Sequence, residues 1–268
     1  MDLIDPDMGI REPRFSFPGH RNLLTISDLH RLPRSAARST FLGDSEAPIR
    51  TPEHLLAALL FFADLPVHFR CDASELPGLD GSALPFREAL SQLAPAQAAR
   101  PAWREYACAL HWEHAWDYGH IRVRPAPRFR VRYHLDRSPL HQTFLLEDPV
   151  QAWHEILPAR TFAFHREWRD ALQAGLMAGA GLDSGLLLAE TEAEYAALHA
   201  QHPLWPVGPY PLLNQTSWRM EDELAKHKIL DLLGDLALAG WALPRLDIEI
   251  RNGGHSINHL LLEKLSLN

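Results

Sequence analysis

ELAKHKILDLLGDLALAGW, Glu223 to Trp241, is the stretch from which the rest of the chain is read. Its apolar residues recur at helical spacing and Gly240 supplies a stop, which predicts an amphipathic helix. His227 and Asp231 are four apart and share one face of that helix, with Asp235 one turn further along the same stripe. Gly234 beside them permits close approach by another segment. A histidine and a carboxylate at this spacing can hold one zinc ion, with a third protein ligand from elsewhere and water in the fourth position. The same spacing suits a solvated surface pair, so the helix alone leaves both readings open.

The 268 residues are ample for two domains, and 46% hydrophobic content can bury real cores. A formal net charge of −8 argues against nucleic acid as the main partner. Cys71 and Cys108 are the two cysteines; they form no disulfide framework and suit a reducing compartment. The first residues lack a basic region followed by an apolar run, so no signal peptide is expected. The longest apolar run, Leu55 to Ala63, is too short to span a bilayer. These features predict a soluble, cytoplasmic protein without a transmembrane segment, and none of them points to an oligomeric state.

Residues 1–50 read as short strand-like pieces without helical period. Thr51-Pro52 then opens a helix, TPEHLLAALLFFADL, with Thr51 suited to the N-cap, Pro52 to N1 and Glu53 to the first turn. Glu53 there reads equally as a plain helix-terminal charge. A strand is expected at 65–71 and a helix near Arg87 to Leu93. The Ala- and Pro-rich stretch 94–101 is the best linker, which divides the chain into domains 1–97 and 98–268. Beyond it, Arg122, Arg124, Arg128, Arg130 and Arg132 alternate on strands. They form either a solvated sheet face or a site for an anionic group such as a diphosphate. Further helices are expected at REWRDALQAGL and TEAEYAALHAQH, then a strand at LDIEI and a last helix at SINHLLLEKL. His255 lies at a Gly-flanked turn, where inert surface and close approach are both open.

Several separate stretches match one family. TPEHLLAAL (51–59), ELPGLDGSALPF (75–86), ARTFAF (159–164), AGAGLDSG (178–185), EDELAKHKILDLLGDLALAG (221–240) and GGHSIN (253–258) occur in its order. On these the chain resembles UDP-3-O-acyl-N-acetylglucosamine deacetylase, the zinc hydrolase of lipid A synthesis. The resemblance implies an α+β fold of two domains, each a mainly antiparallel sheet with two helices, the helices sandwiched between the sheets. It implies Zn²⁺ held by His54, His227 and Asp231. Glu53 would be the general base, Thr161 and Lys228 would steady the developing oxyanion, and His255 would be the general acid, oriented by Asp235. Arg130 stands where the family has a substrate-binding lysine. The implied substrate is an amino sugar or nucleotide sugar that loses an N-acyl group, acetyl being the expected one.

The chain also departs from the pattern. It begins too late for the family's opening hairpin with a Gly-Leu-His-Ser-Gly-like motif, which predicts a shortened first domain. Asp64-Leu65-Pro66 replaces the usual Asp-Asn, Ser184 replaces an Asn, and the segment between Ala189 and Glu221 is longer. Phe162, His165, Trp168 and Met177 fall where the family's acyl-chain passage is built. An indole there would fill space that methylenes use, which predicts a preference for short-acyl or non-lipidated substrates. Alternatively Trp168 packs as core. Two rivals to the lipid A role are a divergent paralogue acting on a smaller N-acyl substrate and a non-catalytic protein that kept the fold.

Overall fold

The computed structural model describes residues 2–3, 12–32, 34–36, 39–43, 46–94, 102–173, 181–215 and 217–266. The chain runs β1 (Asp2–Leu3), β2 (Arg14–Ser16), α1 (Ile26–Arg31), β3 (Arg34–Ala36), β4 (Thr40–Leu42), β5 (Ile49–Arg50), α2 (Glu53–Leu59), β6 (Val67–Arg70) and α3 (Leu84–Leu93). There follow β7 (Arg104–Tyr106), β8 (Trp112–Trp116), β9 (Gly119–Pro125), β10 (Arg130–Arg137), β11 (Leu140–Leu146) and the single turn α4 (Pro149–Gln151). The last part is β12 (Phe162–Phe164), α5 (His165–Gln173), β13 (Leu186–Leu188), α6 (Glu192–Gln201), α7 (Glu223–Ala237), β14 (Ala242–Pro244), β15 (Leu246–Arg251) and α8 (His255–Ser266). The fold is α+β. The boundary expected at 97/98 falls outside the described residues.

The largest sheet has the order β11-β10-β15-β9-β8. Its neighbours are antiparallel except for β10 and β15, which run parallel with Val131 opposite Ile248 and Tyr133 opposite Ile250. Val131, Tyr133, Ile121, Val123, Ile248 and Ile250 alternate along their strands and are buried. They give the sheet one apolar face, against which α7 lies. The first part of the chain forms two small sheets, β1-β6-β2 and β3-β4-β5. α2 packs on α7 and α3, and one apolar cluster runs from Phe15 through Leu56 and Ile229 to Leu262.

Several local expectations change. Residues 26–31 form a helix rather than strand: Thr25 and Asp28 make a reciprocal capping box, with Ile26 and Leu29 buried. Thr51 is not an N-cap. It is held left-handed at φ 57°, its N–H donates to the Thr40 carbonyl at 3.0 Å, and no side-chain bond caps α2. His255 is the first residue of α8 rather than part of the preceding turn. The arginine ladder is the solvated face. Arg122 pairs with Glu249 at 3.3 Å, Arg124 with Glu113 at 3.3 Å, and Arg130 with Glu147 at 3.4 Å, all on the outer side of the sheet. Among the described residues no helix is long and apolar enough to cross a membrane.

The contact that positions everything else is between α2 and α7. A Cβ on Gly234 would lie 2.0 Å from the Glu53 carbonyl oxygen. Only a glycine lets the first turn of α2 rest on α7 there. Gly234→Ala gains roughly 1 kcal/mol of helix propensity. It also forces the two backbones apart, at a cost of about 1–3 kcal/mol or more. The expected outcome is a net loss of stability, read as a lower urea midpoint. An unchanged midpoint would mean that the two helices do not cross at this residue.

Candidate active site

α7 is buried along almost its whole length, His227, Asp231 and Asp235 included. Its start is pinned by a buried ion pair. Arg160 Nε donates to Glu223 Oε1 at 2.7 Å and a terminal guanidinium nitrogen donates to Oε2 at 3.0 Å. The Arg160 and Arg219 backbone N–H groups add bonds to the same carboxylate at 3.2 and 2.8 Å. This fully hydrogen-bonded pair, of the kind that makes a buried ion pair tolerable, lays the 158–162 segment along the helix. The Ala159 carbonyl there accepts from His227 Nδ1 at 3.0 Å. That bond fixes the imidazole so that the Nε2 lone pair faces away from it.

His227 Nε2 meets Asp231 Oδ1 at 3.2 Å, and His54 Nε2, from the first turn of α2, lies 3.6 Å from the same oxygen. The two imidazole planes stand at 87° with centroids 5.0 Å apart. His227 Nε2, Asp231 Oδ1 and Glu53 Oε2 are buried and have no hydrogen-bond partner. Buried polar atoms are rarely left so. Tetrahedral ligands about 2.1 Å from one ion would be about 3.4 Å apart, so the three residues fit a small divalent cation. Two imidazole nitrogens and one carboxylate oxygen form a donor set that zinc and ferrous iron both accept.

Glu53 and His255 face one another across this cluster, His255 Nε2 being 3.7 Å from Glu53 Oε1 and 3.6 Å from Asp231 Oδ2. Burial, with Asp235 and Asp231 nearby, pushes Glu53 up to about 7 despite the opposing pull of His255. Burial alone would lower His255, but the carboxylates of Asp235, Asp231 and Glu53 outweigh it and raise its pKa to about 9. Burial would likewise raise Asp231, yet His227, Lys228 and His255 hold it well below the usual carboxylate range. Lys228 Nζ donates to Asp231 Oδ2 at 2.9 Å and lies 5.2 Å from the centre of the Phe162 ring. Thr161 is held by two bonds: its N–H donates to the Gly81 carbonyl and its own carbonyl accepts from Leu186 N–H, both at 2.7 Å. Gly185 (φ 140°) leaves the space that Thr161 occupies; a Cβ there would lie 2.8 Å from Thr161 Cγ2.

Glu53, His54, Thr161, Phe162, Lys228, Asp231 and His255 all line one cavity of about 1200 Å³. Asp235 stands behind His255, its Oδ2 accepting from His255 Nδ1 at 2.9 Å. Of the other expected substrate contacts, Arg130, His165 and Trp168 do not line this cavity. Arg130 is at the far end of β10 from the cavity; the cation of that strand at the cavity is Arg137, eight residues long though the strand is. Arg137 lies 3.8 Å over the Phe164 ring and pairs with Glu167 at 2.8 Å and Glu190 at 3.5 Å. His165 Nδ1 sits 3.2 Å from Glu194 and does not line the large cavity. Trp168 is half-buried; it packs on Leu187, Ala189, Leu198 and Leu213 and borders a small adjoining cavity. Met177 lies outside the described residues. Thr40, Asn258 and His259, not among the residues expected at the site, surround Asp235. The last two follow His255 at helical spacing, a usable signal; Thr40 carries none.

Comparison with known sequences adds an independent finding. The family model for UDP-3-O-acyl N-acetylglycosamine deacetylase matches residues 18–200 and 207–266. The residues between, 201–206, lie within the segment read as longer than the family's. A UDP-3-O-acyl-N-acetylglucosamine deacetylase of Nitratidesulfovibrio vulgaris is 32% identical over 86% of this chain and 69% of its own length. The enzyme of the same name from Thermodesulfovibrio yellowstonii is 31% identical over 85% and 72%, and that of Oleidesulfovibrio alaskensis 29% over 91% and 77%. The matched region contains every residue that meets at the cavity, from Glu53 and His54 to His255, and the chain belongs to the UDP-3-O-acyl-N-acetylglucosamine deacetylase family.

Proposed function

We propose that the protein is a zinc-dependent amide hydrolase that removes the N-acetyl group of a UDP-linked 3-O-acyl glucosamine in lipid A synthesis. The observation that carries this reading is the convergence of His54, His227 and Asp231 around buried atoms without hydrogen-bond partners, with Glu53 beside them. A zinc ion there supplies Lewis acidity toward water and the amide carbonyl. Glu53, adjacent in sequence to one ligand and not needed as another, takes the proton of the attacking water on its unpaired Oε2. Thr161 and Lys228 offer a hydroxyl and an ammonium to the oxygen that gains charge. His255 Nε2 returns a proton to the departing nitrogen, and Asp235 holds the opposite nitrogen of the ring.

The cavity exceeds the roughly 300–1,000 Å³ of common small-molecule pockets, which suits a nucleotide sugar bearing an acyl chain. Leu76, Leu79, Leu135 and Ala171 add apolar wall to it. Trp168 is not among the residues that line this cavity, which favours a substrate that keeps its acyl chain.

Glu53→Gln is expected to keep about one zinc per chain and lose about 10²–10⁴-fold in turnover. His227→Ala should lose the metal itself, measured by elemental analysis after dialysis. A Glu53→Gln variant with wild-type acetate release would remove Glu53 from its role, and a wild-type chain that binds no zinc would sink the site. Separately, Trp168→Ala should leave unchanged the ratio of kcat/KM for a long-3-O-acyl substrate to that for an unacylated one. A shift in that ratio would place the indole against the acyl chain.

A further inference from the structure

Behind Asp235 lies a tier of buried polar groups that the chemistry above does not use. Asp235 is fully buried. Its Oδ1 accepts from the Thr40 hydroxyl, and its Oδ2 accepts from His255 Nδ1 at 2.9 Å and Asn258 Nδ2 at 2.8 Å. Thr40 Oγ1 lies 2.9 Å from His259 Nε2, which is itself 3.6 Å from Asp235 Oδ1. Thr40, Asn258 and His259 are 0%, 3% and 7% exposed, so water does not stand in for any of these bonds.

The direction of each bond follows by counting protons. A carboxylate offers only lone pairs, and a threonine hydroxyl has one proton. The proton of Thr40 is committed to Asp235, so toward His259 the hydroxyl can only accept. His259 Nε2 must therefore carry a proton. By the same counting His255 Nδ1 donates to Asp235, and its Nε2 is the nitrogen turned toward Glu53 and Asp231. Thr40 is tied to the other side of the site as well, since its carbonyl accepts from Thr51 N–H at 3.0 Å just before Glu53 and His54. Fixed partners of this kind set the orientation and tautomer of a working imidazole.

We propose that Thr40 and His259 are positioning residues: they hold Asp235, and through it the His255 ring, so that His255 presents Nε2 to the cavity. The purpose of that presentation rests on the amide-hydrolase reading; the hydrogen-bond order does not. The test is side-chain ¹⁵N–¹H NMR of the full chain labelled at histidine, with kinetics on the same samples. Wild type is expected to show the His259 proton on Nε2 and the His255 hydrogen-bonded proton on Nδ1. Thr40→Val should shift the His255 resonance and lower kcat roughly 10–100-fold with KM little changed. Thr40→Ser, which keeps the hydroxyl, should restore both. A bare His259 Nε2 in wild type overturns the proposal without any variant, and so does a folded Thr40→Val with wild-type kcat and an unmoved His255 signal. If wild type lacks deacetylase activity yet shows the stated tautomers, the catalytic reading fails and the hydrogen-bond order is supported.

Discussion

The site depends on a backbone contact, not on a side-chain bond. Glu53 and His54 belong to one helix, His227, Asp231 and Asp235 to another, and the two meet because Gly234 has no Cβ in the path of the Glu53 carbonyl. Helices carrying ordinary side chains at their contact keep their axes about 8–10 Å apart. At such a distance the first turn of α2 would sit further from α7, and the nitrogen of His54 would not reach the oxygen that His227 faces. The left-handed Thr51 serves the same end from the other side. It turns the chain sharply enough that Glu53 and His54 enter the cavity on the first helical turn.

That closeness gathers charge in a dry place. Glu53, Asp231 and Asp235 are each 2% exposed or less. Burial disfavours their charged forms, and the protein answers with His255, Lys228 and a set of directed hydrogen bonds. The outcome differs by neighbourhood. Asp231 and Asp235, each beside imidazoles, are held as carboxylates below the usual range, while Glu53, whose second oxygen has no partner, is raised. Two carboxylates that stay charged and one that is poised to hold a proton are thus separated by environment, not by residue type.

Much of this was legible because helices repeat. The stripe of His227, Asp231 and Asp235, and the space beside Gly234, follow from spacing alone, and the α+β fold followed from the resemblance carried by the motifs. Positions that depend on tertiary packing were not legible. Thr51-Pro52 has the composition of a helix start, yet the chain needs a left-handed residue there, which overrides capping preference. Arg130 matched by sequence position, but the strand places it at the end remote from the cavity. Trp168 lies within a family stretch, and whether it faces a passage or a second apolar cluster is decided by β13 and α6, which the local sequence does not specify. Thr40 comes from a β-strand far away in sequence, and its role exists only where that strand meets α8.

The two ends of the cavity differ in how they are fastened. Near His227 the Arg160–Glu223 pair is almost completely buried, at 8% and 0% side-chain exposure. At the other end Arg137 of the sheet pairs with Glu167 of α5 and with Glu190 just before α6, all between 36% and 42% exposed. Dissolved ions screen exposed charges and hardly reach buried ones. Rising ionic strength therefore weakens the ties on the α5 side of the cavity and hardly touches the Arg160–Glu223 pair, so that salt acts on one wall of the cavity and spares the other.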